Sequence, residues 1–507
     1  AERVLIPRIA KIPFAGHSFL TAMSWKNPID VFWTSSVEPR IFMLYFLAQL
    51  GQGLPWTALS LMLTRDIVSI AKSRLGAETG LRSSEQLLRH LLRPLVFQGL
   101  FTFFMLMTAV FGYISDSLPI LKHRRIPYFI FYAFVVAAIF ITYPFVVHNY
   151  QTALIMGVIL NTAQCGAQIM IDTLVVERVH AETDDAGRGQ SLAMASKTAG
   201  TVAATILSLI LMLVRAPHSA FPIGRFHIPY KWVFALAGVP YIGAAIVAFK
   251  IQDRCVTKYV PIFPSLDRIF WETITKGLNL IFCGRRGEGN LAKFRPLFPL
   301  ILFLLLRSAM PTTATNVYTY LSINVSVKTW QYNTLNISTS IFSLIASFVY
   351  NRFLIGKDLA IIIVWTTVAS CLTSLLQIYF VTGLFDDPNV HYWVTIIIMD
   401  INAFASQLAF IPMLIMASRA CPVGYESSMW ATFFTFNDIA GTISGSLGRI
   451  VSGVTIGYQA DADYGITYTD FSNLYKYVVT CSMLILVPLL YLFFIRDYFD
   501  IGTPPFC

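Results

Sequence analysis

Twelve separate apolar runs, each of about twenty residues, constrain this chain more than any other feature. That is the length a helix needs to cross the hydrocarbon core of a bilayer. The runs lie near 41–63, 94–114, 127–147, 151–176, 190–214 and 232–250, and near 297–320, 333–354, 359–381, 392–416, 427–453 and 473–495. They are continuous and do not alternate with period two, which disfavours a β-barrel. Composition agrees: 56% of the 507 residues are hydrophobic, 13% are charged and the mean hydropathy is +0.64. The expected fold is an all-α integral membrane protein with twelve transmembrane helices in two six-helix sets.

Charge sets the expected orientation. Residues 1–40 carry five Lys and Arg among prolines and polar residues and show no cleavable signal-peptide pattern, so they read as a cytoplasmic tail. With that tail inside, the inward segments hold 23 Lys and Arg and the outward segments 11, with three more inside the spans. This positive-inside bias places both termini in the cytoplasm and leaves open whether the membrane is that of the cell or an organelle. The net charge of +10 is then mostly topological and faces anionic lipid, which makes nucleic acid an unsuitable partner. The expected division is a tail 1–40, a first set 41–250, a linker 251–295, a second set 296–495 and a cytoplasmic end 496–507. Apolar and basic periodicity around Leu266 to Leu280 suggests a helix on the membrane surface within the linker. The seven cysteines and eight histidines show no disulfide framework, metal spacing or buried relay. No nucleophile and base are clustered, so neither an enzyme nor a bound cofactor is expected.

The two sets resemble each other. Gln168 matches Gln407 and Gly200 matches Gly441, offsets of 239 and 241, and the loop between the second and third helices has a counterpart at 350–358, offset by about 235. Two related six-helix sets joined by a basic loop is the plan of the major facilitator superfamily, in which substrate sits between them.

Six ionisable residues fall inside the spans: Asp172, Lys197, Arg307, Asp400, Asp438 and Arg449. Charges at that depth are expensive and face an aqueous path or each other. Asn161, Gln164, Gln168 and Asp172 share one face of helix four, and Tyr45, Gln49, Gln52, Trp56 and Ser60 share one of helix one. Lys197, Thr201 and Ser208 lie on helix five, and Asn333, Asn336, Ser340, Ser343 and Ser347 on helix eight. Small and polar stripes also serve helix packing, a reading that suits helix eight and the run Gly441, Gly445, Gly448 and Ser452. The bulkier groups of helices one, four and five suit a wet cavity, with Trp56 and Tyr45 placed to stack on a planar ring. Lys197 and Asp438 occupy matching places in the two sets and are expected to pair across them.

The stretch "GYISDSLPILKHRRIPY", residues 112–128, carries one acid and a basic cluster between helices two and three. It resembles the loop signature of the major facilitator superfamily. Through Gly112, Ser115, Asp116, Pro119, Arg124, Arg125 and Tyr128 it is similar specifically to the folate-biopterin transporter family. So are "DTLVVERVHAE" (172–182), "GQSL" (189–192), Pro311, "LIASFVYNRFL" (344–354) and "CPVGYESSMWATFFTFNDIAGTISGSLG" (421–448). The resemblance implies carriers of folates, pterins and, in some relatives, S-adenosylmethionine, either proton-coupled or exchanging. It implies an anionic small-molecule substrate bound by the cations Arg307 and Lys197 with Gln49, Gln52, Trp56, Asn161, Gln164 and Gln168. Asp116 with Arg124 or Arg125 would hold a gate, and Asp172 or Asp438 would titrate if transport is coupled to protons. Two positions depart from the family pattern: Thr108 stands where relatives commonly carry Lys, and Gln168 where they commonly carry Asp. Loss of both charges leaves room for a second reading, a transporter-fold subunit anchoring a larger complex with other membrane proteins.

Overall fold

The computed structural model describes residues 38–54, 107–120, 123–146, 150–181, 186–213, 230–251, 253, 275, 278–279, 281–282, 297–323, 329–382, 388–421, 425–456, 458–460, 467–469, 473–492 and 494–495. Its first set of helices comprises α1 (39–54), α2 (Thr108–Ser117), α3 (Ile126–Val146), α4 (Tyr150–Ala181), α5 (Ala186–Leu213) and α6 (Tyr230–Ala248). The second comprises α7 (Phe298–Ala309), α8 (Ala314–Ile323), α9 (Thr329–Val349), α10 (Leu359–Leu375), α11 (Ile378–Val381), α12 (Pro388–Ala420), α13 (Glu426–Thr455), α14 (Leu474–Leu484) and α15 (Val487–Leu492). Each of the twelve apolar runs overlaps at least one of these, the first two only in part because 55–106 lie outside the described residues. Seven of the described helices are long and apolar enough to cross a membrane. Side chains such as Trp365, Leu372 and Ile361 stay exposed on α10, as lipid-facing residues do. A short antiparallel pair, β1 (Tyr458–Ala460) and β2 (Thr467–Thr469), joins α13 to α14.

Run seven is two helices. Pro311 cannot donate to the helix ladder, and it drives Met310 to an extended ψ of 134°. The freed carbonyls find partners at once: Met310 accepts from the Ser444 hydroxyl at 2.7 Å and Thr312 from the Tyr477 hydroxyl at 3.0 Å. Backbone groups at membrane depth have to be satisfied within the protein, and these are. At the end of α9, a π-helical turn, Tyr350–Leu354, leads to Gly356 at φ +81°. Only a residue without a Cβ enters that left-handed bend without strain. Asp358 then caps α10 by accepting from the Ala360 amide at 2.9 Å.

The two sets meet along two seams, α2 against α13 and α5 against α9. Both are tight at the end of the bundle from which residues 251–297 depart, called here the linker face. At Gly112 a Cβ would lie 2.5 Å from both the Ala431 Cβ and the Ser427 carbonyl oxygen, so only glycine permits that approach. Further along α13 the contact ends: a Cβ at Gly441 or Gly445 would meet nothing within 4 Å. The expected close packing of this run is therefore corrected for Gly441 and Gly445 but holds further on, where a Cβ at Gly448 would meet the Tyr477 hydroxyl at 3.4 Å and Ser452 is buried. The linker helix expected around Leu266 to Leu280 lies largely outside the described residues, of which 275, 278, 279, 281 and 282 are helical.

Candidate functional site

Two constellations lie between the helix sets. The first seals the linker face. Arg125 is fully buried just before α3, and its guanidinium spends every direction of its fork. It donates to Asp116 at 2.6 Å, to Glu177 at 2.9 Å and to the Ser115 hydroxyl at 2.7 Å, and Glu426 stands 3.8 Å away. Burial alone would push the Arg125 pKa down, but Asp116 and Glu177 hold it above its ordinary value, so the cation persists. Asp253, at the start of the linker, accepts from the Arg125 and Ile126 amides at 2.9 and 3.1 Å and caps α3.

Of the two arginines offered by the sequence, Arg125 is the partner of Asp116. Arg124 lends its backbone carbonyl to the Ser115 hydroxyl, while its Nε has no hydrogen-bond partner. Asp116, Arg125 and Glu177 all belong to the first set, and the Arg125 pair with Glu426 at 3.8 Å reaches across to the second. The other oxygen of Asp116 also crosses, accepting from both the backbone amide and the hydroxyl of Ser428 at 2.7 and 2.6 Å. Ser428 lies in the first turn of α13, where backbone donors are unsatisfied and the helix dipole is positive. The Thr173 hydroxyl reaches Ser427 at 3.3 Å beside it. On the second seam the Asn351 amide donates to the Ser191 hydroxyl at 2.8 Å.

The second constellation is a cavity of about 480 Å³ at mid-depth, within the usual range for small-molecule sites. Gln49 of α1 and Lys197 and Thr201 of α5 line one side; Ser340 and Ser343 of α9 with Asn402 and Gln407 of α12 line the other. The Lys197 amine pairs with Asp172 at 2.8 Å and lies 5.0 Å from the centre of the Tyr45 ring. Gln168 donates to the same Asp172 oxygen at 2.8 Å and accepts from Gln49 at 3.3 Å, and Gln49 also donates to Gln52. The expected pair Lys197 and Asp438 is not formed. Asp172 lies on a neighbouring helix of the same set and takes the amine instead, while Asp438 is half-buried on α13.

The predicted substrate face on α4 divides. Gln168 and Asp172 bond to the cavity-lining residues Gln49 and Lys197, but Gln164 turns to the Tyr241 hydroxyl of α6 at 3.5 Å, and Asn161 is buried. None of the four lines the cavity itself. Arg307 is half-buried on α7, outside the cavity lining, and no hydrogen bond or ion pair engages it among the described residues. Trp56 lies outside the described residues. Thr108 is buried on α2. Glu177, Ser191, Asn351, Glu426 and Ser428 were given no role from the sequence, although each sits in one of the motif stretches, all of which end at the linker face.

The sequence matches the BT1 family over residues 93–249 and 288–501. The chain belongs to the BT1 family. The break between the matched segments falls in the stretch that separates α6 from α7. Among BT1-like relatives, the folate-biopterin transporter of Synechocystis is 22% identical over 454 residues, covering 89% of this chain and 80% of its own. In structure the chain is similar to the human organic anion transporter MFSD10, with a TM-score of 0.60 at 12% identity, covering 92% of this chain and all of the other. It is also similar to the E. coli major facilitator superfamily transporter FucP in its outward conformation, with a TM-score of 0.56 at 14% identity, covering 90% and 97%. The fold is that of a major facilitator superfamily transporter, and these proteins are transporters rather than enzymes.

Proposed function

We propose that this chain is a secondary carrier of folate- or pterin-like organic anions that works by alternating access, the two sets of helices rocking about the central cavity. The observation that carries the reading is that cavity: it lies between the sets, both contribute polar walls, and the linker face beneath it is sealed by Asp116 and Ser428. The name of the Synechocystis relative supports the substrate class. The charge distribution supports a cytoplasmic linker face, which makes the structure an outward-facing state. Arg307, a cation with no ion pair among the described residues, is assigned to a substrate carboxylate although it stands outside the cavity lining, and Lys197, already neutralised by Asp172, offers a second contact through its remaining donors.

Uptake of labelled folic acid and biopterin by reconstituted protein, with and without a pH gradient, tests the reading. Arg307→Ala at normal membrane expression is expected to lower folate uptake by at least tenfold, about 1.4 kcal/mol, and to affect biopterin less. Undiminished folate uptake removes Arg307 from the site. A second reading, a transporter-fold subunit of a larger membrane complex, draws on the uncharged Thr108 and Gln168. Absence of uptake for the whole panel, together with co-purification at fixed stoichiometry, would favour it.

A further inference from the structure

Among the described residues, Asp400 is the buried acid that neither constellation uses. It sits on α12, 4% exposed, one residue from Met399 and two from Asn402, both of which line the cavity. One carboxyl oxygen accepts from the Ser338 hydroxyl of α9, next to the cavity residue Thr339, and the other has no hydrogen-bond partner. The contrast with Asp172 lies in the cation: that acid, 2% exposed and also with one oxygen lacking a hydrogen-bond partner, has Lys197 and Gln168 on the other oxygen, each at 2.8 Å.

No described cation pairs with Asp400, and Arg307 stands on α7, which is not among the helices packed most closely against α12. The described parts of α9 and α10 carry no charged side chain. On α5 the Lys197 amine is committed to Asp172 and Arg188 lies near the linker end; α13 brings the acids Glu426 and Asp438 and the exposed Arg449. On α12 itself His391 and Arg419 stand near the two ends. A bare carboxylate in such a place is costly, and acids retained at this depth mark proton paths. Geometry alone does not call for an acid here: Asn161, 239 residues earlier and at the repeat offset of Gln168 and Gln407, fills the matching place with a neutral amide.

We propose that Asp400, with Ser338, is a proton-binding site in the wall behind the cavity, loaded in the linker-closed state and discharged when the helix sets rock. Its coupling role rests on the carrier reading; its proton binding does not. Infrared spectroscopy of the reconstituted full chain at neutral pH is expected to show a carboxylic-acid C=O band that Asp400→Asn removes. Ser338→Ala should keep that band and move it to higher frequency, because the hydrogen bond to the carboxyl is gone. Spectra in which Asp400→Asn removes no acid band overturn the proposal. In the same vesicles, exchange of labelled folic acid at equal pH should survive in Asp400→Asn, and accumulation driven by a proton gradient should fall to the gradient-free level. Intact gradient-driven accumulation in the variant overturns the coupling role while leaving the carrier reading standing. Wild-type vesicles that exchange no folate would count against the carrier reading, and the infrared result alone then decides the proton site.

Discussion

The two seams that close the linker face occupy matching places in the repeat, yet one is charged and the other neutral. Asn351 lies 235 residues after Asp116, and Ser428 lies 237 after Ser191. In each case a polar side chain at the end of one helix reaches a serine near the start of another. The difference lies in how near the start. Ser428 is the third residue of α13, so its amide is one of the donors an α-helix leaves open, and a carboxylate there meets a positive dipole. Ser191 is the sixth residue of α5, where backbone amides are already used, and its hydroxyl, donating to the Arg188 carbonyl at 3.1 Å, is left only to accept. A carboxylate suits the first place and an amide the second.

This contrast can be broken most severely at Arg125. Arg125→Ala strips three buried acids of their common partner and is expected to cost about 3–5 kcal/mol, seen as a large fall in melting temperature in detergent. Asp116→Asn should weaken the charged seam by about 2–3 kcal/mol, since hydrogen bonds to a charged group are worth roughly twice neutral ones; protection of Cys421, buried just past the end of α12 at the linker face, from a membrane-impermeant thiol reagent is the readout. Packing gives a pair of opposite sign. Gly112→Val, driven into Ala431 and Ser427, should cost about 1–3 kcal/mol, while Gly441→Ala, facing open space, should raise stability by up to about 1 kcal/mol. Asn351→Ala should open the neutral seam by only about 1 kcal/mol. Asn351→Asp sharpens the comparison: with no open backbone donor nearby, the new carboxylate should weaken the seam and not strengthen it. A stronger seam in that variant would contradict the explanation from helix position.

Much of the fold was legible because bilayer-length apolar runs leave few alternatives, and each of the twelve runs overlaps a described helix. Pro311 split run seven because hydropathy averages over a window and does not register one missing donor. Within the site, the loop motif pointed to Asp116 with Arg124 or Arg125, and the structure pairs Asp116 with Arg125, for an acid beside a basic cluster is a local pattern. The partners that complete it, Glu177, Glu426 and Ser428, come from elsewhere in the chain, and no spacing rule connects them. Lys197 was expected to meet Asp438 through symmetry of the repeat, but Asp172 is on a helix in contact with its own, and proximity decides which acid takes a buried amine. On the polar face of α4, Gln168 and Asp172 bond to cavity-lining residues while Gln164 finds Tyr241.

The central claim is that Asp116 and Ser428 hold the linker face shut more firmly than Asn351 and Ser191. Spin labels at the exposed positions Ile120 and Phe353 report the distance across that face. The wild type without ligand should give one short distance, Asp116→Asn should populate a longer one, and Asn351→Ala should do so to a clearly smaller extent. Equal populations in the two variants, or an unchanged distance in Asp116→Asn, would contradict the account.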